Sequence, residues 1–157
     1  MRLSVFPVAA ASMVLLAAPS SPQAATGAQA SIRFAWSQQI TLAGIGDAKA
    51  CWYMTDDYKD TYRFGQNSYP DCPSAIKGRY AEDRRQLGRA ALARQTRADA
   101  AAARRTRISV SGASARGRLR VTIGDCTRTQ SQKFKRVDGR WLVDVATANT
   151  ATRGCLR

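Results

Sequence analysis

Apolar positions recur at helical spacing through the first two thirds of the chain, then at every second residue. Ile32, Trp36, Gln39 or Ile40, and Ala43 share one face, which predicts a helix from Ser31 to Leu42 closed by Gly44 and Gly46. Asp47 is an N-cap residue type for a second helix over 48–55. That helix would bury Ala50 or Cys51 and Met54, with Tyr58 one turn on. Asp56, Asp57 and Asp60 make the next turn acidic, and residues 65–70 read as a loop. Asp71 and Pro73 open the longest helical stretch, with Ile76, Tyr80, Leu87 and Ala91 on one stripe. Arg94 then falls in line with the stripe and only alanines follow. This leaves 94–105 projecting into solvent or loosely ordered. Gly78 and Gly88 each cost about 1 kcal/mol relative to Ala inside such a helix.

From Arg107 the alternation is strand-like. Ile108 and Val110 alternate with Arg107 and Ser109, and residues 112–117 read as a turn. Leu119, Val121 and Ile123 alternate with Arg118, Arg120 and Thr122, the pattern of a half-buried strand. Asp138-Gly139 is a two-residue hairpin signal between strands at 132–137 and 140–146. In that register Phe134 opposes Val143, and Arg136 opposes Trp141 in reach of a cation–π contact. Helices first and strands later predict an α+β domain.

The N-terminus has a different pattern. Arg2 precedes an uncharged run from Val5 to Ala18, followed by small and polar residues up to Ala30. Ala28-Gln29-Ala30 satisfies the small-x-small rule, so residues 1–30 read as a cleavable export signal and Ser31 as the new N-terminus. The apolar run, about 14 residues, is shorter than the roughly 20 a bilayer-spanning helix needs. No later segment is apolar enough to span a membrane. The rest, 31–157, has the size of one domain, with a short C-terminal tail at 148–157. Nothing before Ser31 is expected to pack on it.

Export gives meaning to the cysteines and the charge. Cys51, Cys72, Cys126 and Cys155 are an even set, as two disulfides require, and they allow three pairings. Cys51–Cys72 with Cys126–Cys155 closes the most modest loops. With no histidine and no close cysteine pair, zinc is not expected. The net charge is +14, and removing Arg2 with the signal leaves +13. Such a surface attracts anions, and outside the cytoplasm these are envelope polymers or lipid headgroups. An Arg- and Ala-rich composition also follows from a GC-rich genome.

Three segments resemble those of small exported actinobacterial proteins with an NTF2-like (cystatin-like) α+β cone. They are Gly46-Asp47-Ala48-Lys49-Ala50-Cys51-Trp52-Tyr53-Met54-Thr55, then Asp71-Cys72-Pro73-Ser74-Ala75-Ile76, and Lys135-Arg136-Val137-Asp138-Gly139-Arg140-Trp141-Leu142-Val143. The resemblance spans about residues 32–147. It implies a curved antiparallel sheet around helices, with a cavity at the open end. It also supports the Cys51–Cys72 pairing best. The superfamily contains isomerases, dehydratases, hydrolases and plain binding modules, so fold does not select a function.

Histidine-dependent chemistry is excluded, and with it the ordinary hydrolase triad. The acid–base candidates are Asp56 and Asp57, beside Tyr53 and Tyr58. An Asp base and a Tyr donor can move a proton next to a carbonyl if one Asp is buried with a raised pKa. The anion-binding candidates are Arg79, Arg84, Arg85, Arg89, Arg94 and Arg97. These scatter around the helix, and few aromatics accompany them, which argues against nucleic acid. The expected function is an exported non-catalytic module at or near the cell envelope, without a cofactor. It would bind an anionic envelope polymer, a lipid surface or a small apolar ligand. A cofactor-free isomerase or lyase is the alternative. An interior filled by Trp36 and Phe134 would leave no room for a ligand inside the cone.

Overall fold

The computed structural model describes residues 22–63, 68–123 and 126–151. The order is α1 (Pro22–Ala43), a 3₁₀ turn (Ala48–Tyr53), α2 (Asp56–Arg63), α3 (Cys72–Leu87), α4 (Arg89–Arg105), then four strands. The strands are β1 (Ile108–Ser111), β2 (Ser114–Ile123), β3 (Cys126–Val137) and β4 (Arg140–Ala151). They form one open antiparallel sheet in sequence order. The expected α+β order, helical then strand-rich, is the one observed.

Helix α1 begins well before Ser31. Residues 24–30 are mostly Ala and Gln, good helix formers, so the stretch suited to a peptidase also extends the helix. Ala28 packs on the main core, and Gln29 Nε2 donates to Ile108 O at 3.0 Å. The segment before Ser31 therefore contacts the domain, contrary to expectation. Gly46 ends the helix at φ 74°, with its N–H on Ala43 O and the Asp47 N–H on Leu42 O. That double closure needs a left-handed residue, and a Cβ on Gly46 would also meet the Tyr80 ring at 2.8 Å.

The long helical stretch breaks in two at Gly88, φ 77°. Its second half reverses the expectation for 94–105. Ala100 and Ala103 are buried, and Ala103 joins the core beneath α1. Their small side chains let the two helices approach closely, and Gly44 comes so near Thr96 that a Cβ would clash at 2.3 Å.

The main core joins Ile32 and Trp36 of α1 to Ala103, Ile108, Ala115, Leu119, Phe134, Trp141 and Val143. Trp36 meets Phe134 edge to face, ring centroids 5.1 Å apart. Gly117 lies beneath them, where a Cβ would stand 2.7 Å from Ile108 Cδ1 and 3.2 Å from the Trp36 ring. A second cluster gathers Ala50, Cys51, Met54, Cys72 and Ile76 around the Cys51–Cys72 disulfide. The expected Cys126–Cys155 bridge involves Cys155, which lies outside the described residues, as do residues 65–67 of the expected loop.

The β3–β4 hairpin has the expected register, Phe134 against Val143 and Arg136 against Trp141. Asp138 (φ 49°) and Gly139 (φ 78°) form its turn, both in the left-handed region. Arg136 bends back to the turn, Nε donating to Gly139 O at 3.3 Å. Strand β4 stays paired to Ala151, so residues 148–151 of the expected tail belong to the sheet. The turn expected at 112–117 is tighter, since β2 already begins at Ser114.

Candidate functional site

The acid–base candidates do not converge. Thr55 precedes α2, and its Oγ1 accepts the Tyr58 N–H at 3.2 Å. Asp56 and Asp57 then occupy the first turn, where negative charge suits the helix N-terminus. The expected acidic turn is thus the start of a helix. Both carboxylates are exposed. The Asp56 side chain is 93% exposed and bonds Lys59 Nζ at 2.7 Å, which holds its pKa below the usual carboxylate value. Tyr58 points the other way, into the second cluster, edge to face with Tyr62 at 6.0 Å. Burial raises its pKa. Tyr53 stacks edge-on with Phe34, centroids 6.4 Å apart. The buried carboxylate that a proton transfer needs is therefore not among these four residues.

The six helical arginines separate into different roles. Arg79 is structural. Its guanidinium donates to Tyr62 O at 3.1 and 2.7 Å and lies 4.5 Å from the Tyr62 ring centroid, clamping α3 to α2. Arg84 and Arg85 end α3, exposed, where positive charge suits the helix C-terminus. Arg94 is exposed on α4. Arg89 and Arg97 line a cavity of about 340 Å³ together with Leu92, Thr96, Ile45 and Tyr80. Eight residues apart on one helix, the two arginines stand ~12 Å from each other. The break at Gly88 keeps all six from forming one basic stripe.

A larger concavity lies elsewhere. Asp47 accepts the Lys49 N–H at 2.9 Å and starts the 3₁₀ turn. Three residues per turn superimpose positions i and i+3. Ala50 and Cys51 consequently face the second cluster, while Lys49 and Trp52 face outward together. Lys49 Nζ lies 5.9 Å from the Trp52 ring, which is 64% exposed. Beside them is a cavity of about 590 Å³. Met54, Leu142 and the disulfide supply apolar wall, and Lys49, Lys59 and Arg140 supply positive charge, against one carboxylate on Asp138. Arg140 Nη2 donates to Trp52 O at 3.4 Å, tying the hairpin to this turn.

Arg140 also borders a second concavity of about 610 Å³, with Phe34, Tyr53 and Trp141. Phe34 is 57% exposed there. The hairpin tip therefore lies between two aromatic surfaces with a guanidinium common to both.

Sequence reasoning did not single out Trp52. The signal was present in Lys49-Ala50-Cys51-Trp52, where a period of three puts the cation and the ring side by side. An α-helical reading of 48–55 also puts them on one face, so what the sequence left open is that this face is uncovered. Among the described residues, no three Asp, Glu or Cys side chains converge as a metal ion would require. No helix among these residues is long and apolar enough to cross a membrane.

No family model, no curated protein and no solved structure matches this chain.

Proposed function

We propose that this chain is an exported, non-catalytic binding module acting at or near the cell envelope, and that the Trp52 cavity holds a small anion with an apolar or ring-shaped body. The observation that carries this reading is the exposed Trp52 ring beside Lys49, lining one cavity with Lys59, Arg140 and an apolar wall. A large exposed indole is a stacking platform, and the cations around it select for negative charge. The Cys51–Cys72 bridge and the signal pattern of residues 1–30 support an oxidising, extracytoplasmic setting.

For the fold we retain the NTF2-like cone as the reading that the helices packed on an antiparallel sheet support. Its interior is occupied by Trp36 and Phe134, each 1% exposed. A small ligand is accordingly assigned to the surface cavity and not to the space between sheet and helices. The alternative, an isomerase or lyase built on Asp56 or Asp57, has no enclosed carboxylate in its support.

Tryptophan fluorescence tests the assignment. Trp36 and Trp141 are buried, so Trp52 is the indole open to solvent. Titration with alkyl or phenyl phosphates should shift or quench its emission. Trp52→Ala should abolish that response, and Arg140→Gln should weaken affinity about tenfold, the equivalent of one lost charged contact. Equal binding of the neutral alcohols, or unaltered affinity in Trp52→Ala by calorimetry, would sink the proposal.

A further inference from the structure

The face of the sheet turned away from the helices carries a pattern of its own. Ala115, Gly117 and Leu119 of β2 are buried, whereas Arg116, Arg118 and Arg120 are exposed on the opposite face. Register places Lys133 of β3 directly opposite Arg116, and Lys135 opposite Ser114. Residues directly opposite in an antiparallel pair share a face. Five cations therefore stand on one side of two adjacent strands.

Their spacing is set by the sheet. Alternate residues on a strand are ~6.8 Å apart, and neighbouring strands ~4.8 Å. Lys135, then Arg116 with Lys133, then Arg118, then Arg120 make four rungs covering roughly 20 Å. Among the described residues none of the five forms an ion pair. The acidic side chain of β4, Asp144, is engaged by Thr55, whose Oγ1 donates to it at 2.8 Å. The other outward positions of β1 to β3 include Ser109, Ser111, Ser114 and Thr129, short side chains that leave the cations accessible.

A fold gains nothing from gathering like charges in register, because cross-strand repulsion is destabilising. A ligand that brings matching negative charges removes the repulsion and releases counterions. The match required is a chain whose anionic groups recur about every two strand residues, ~7 Å. The face lacks aromatic side chains at its outward positions on β1 to β3, so it offers no platform for stacked bases.

We infer that this sheet face is a docking surface for a linear polyanion without nucleobases, a phosphodiester chain lying along β2 and β3. It is separate from the Trp52 cavity and stands whether or not that cavity binds a small anion.

The test uses the full chain with poly(glycerol phosphate) of graded length, and with polygalacturonate and oligo-dT of equal charge, across a salt series. In Arg116→Gln/Arg118→Gln/Arg120→Gln, affinity should drop at least tenfold and the log–log salt slope should fall by about 2 to 3. Arg116→Lys/Arg118→Lys/Arg120→Lys should keep most of the binding. The charge-matched control Arg84→Gln/Arg85→Gln/Arg94→Gln should lose less than about threefold, as should Trp52→Ala. Chains too short to reach four rungs should bind far more weakly than longer ones. If the helical control loses as much as the sheet variant, net charge alone explains binding and the surface is overturned. Tighter binding of oligo-dT or of polygalacturonate than of poly(glycerol phosphate) overturns the ligand class. Should the triple glutamine variant fail to fold, Arg118→Gln alone should still give a several-fold loss, and an unchanged affinity there refutes the site.

Discussion

Tyr58 and Tyr62 sit in the second cluster, where α2 meets α3, and both hold their protons more tightly than an exposed tyrosine. For Tyr58 burial is the main cause, reinforced by Tyr62 and opposed by Arg79. For Tyr62 burial again leads, opposed by Arg79 and reinforced by Asp83 and Tyr69. Both pKa values lie above the ordinary 10.0 in the folded chain. Their contribution to stability is therefore complete below that value and declines as pH rises through the folded pKa, because only the unfolded chain ionises there. Denaturant melts between about pH 8 and 11 should show an alkaline loss of stability. Tyr58→Phe should make that limb shallower by at most about 1.4 kcal/mol per pH unit. An unchanged slope would mean that Tyr58 is already ionised or exposed in the folded chain.

At the scale of elements, α1 is the piece on which the rest is assembled, and its N-terminal turns are part of it. A domain that begins at Ser31 lacks the Ala28 packing and the Gln29–Ile108 hydrogen bond. It should be less stable than one beginning at Thr26 by about 1–2 kcal/mol, measured by chemical denaturation. Equal stability would show that these contacts contribute nothing and that a cut after Ala30 is structurally neutral. The same element shows what a sequence carries. The stripe Ile32, Trp36 and Ile40 was legible because large apolar residues repeat at helical spacing. So was the Asp138-Gly139 hairpin, since few other pairs take two successive left-handed positions. Helix α4 was misjudged because alanine is a weak hydrophobic signal, yet its small size is what allows α1 to approach. The candidate surface was half legible. Arg118 and Arg120 alternate visibly with Leu119 and Val121, but which side of a strand stays uncovered depends on where the helices pack. Local pattern does not contain that information.

For the molecule as a whole, the disulfide joins the 3₁₀ turn to the start of α3 across a separation of 21 residues. Closing a loop of that size should contribute about 3 kcal/mol through the unfolded chain. The double variant Cys51→Ala/Cys72→Ala should lose roughly that amount in equilibrium unfolding, and a loss under about 1 kcal/mol would contradict the loop-closure account. The bridge has a second effect beyond stability. Just after Cys51 the chain runs beside β4, where Met54 forms a parallel bridge to Val143 and the Thr55 N–H donates to Val143 O at 2.9 Å. This short segment lies along the outer rim of an open sheet, and an uncovered rim is a template on which a second chain can add a strand. The Cys51–Cys72 bridge thus anchors the segment that covers part of this rim at Met54 and Thr55. With the thiols unpaired, that cover would hang on the backbone contacts to Val143 and the Thr55–Asp144 hydrogen bond, and the rim of the sheet would open more readily than in the bridged chain.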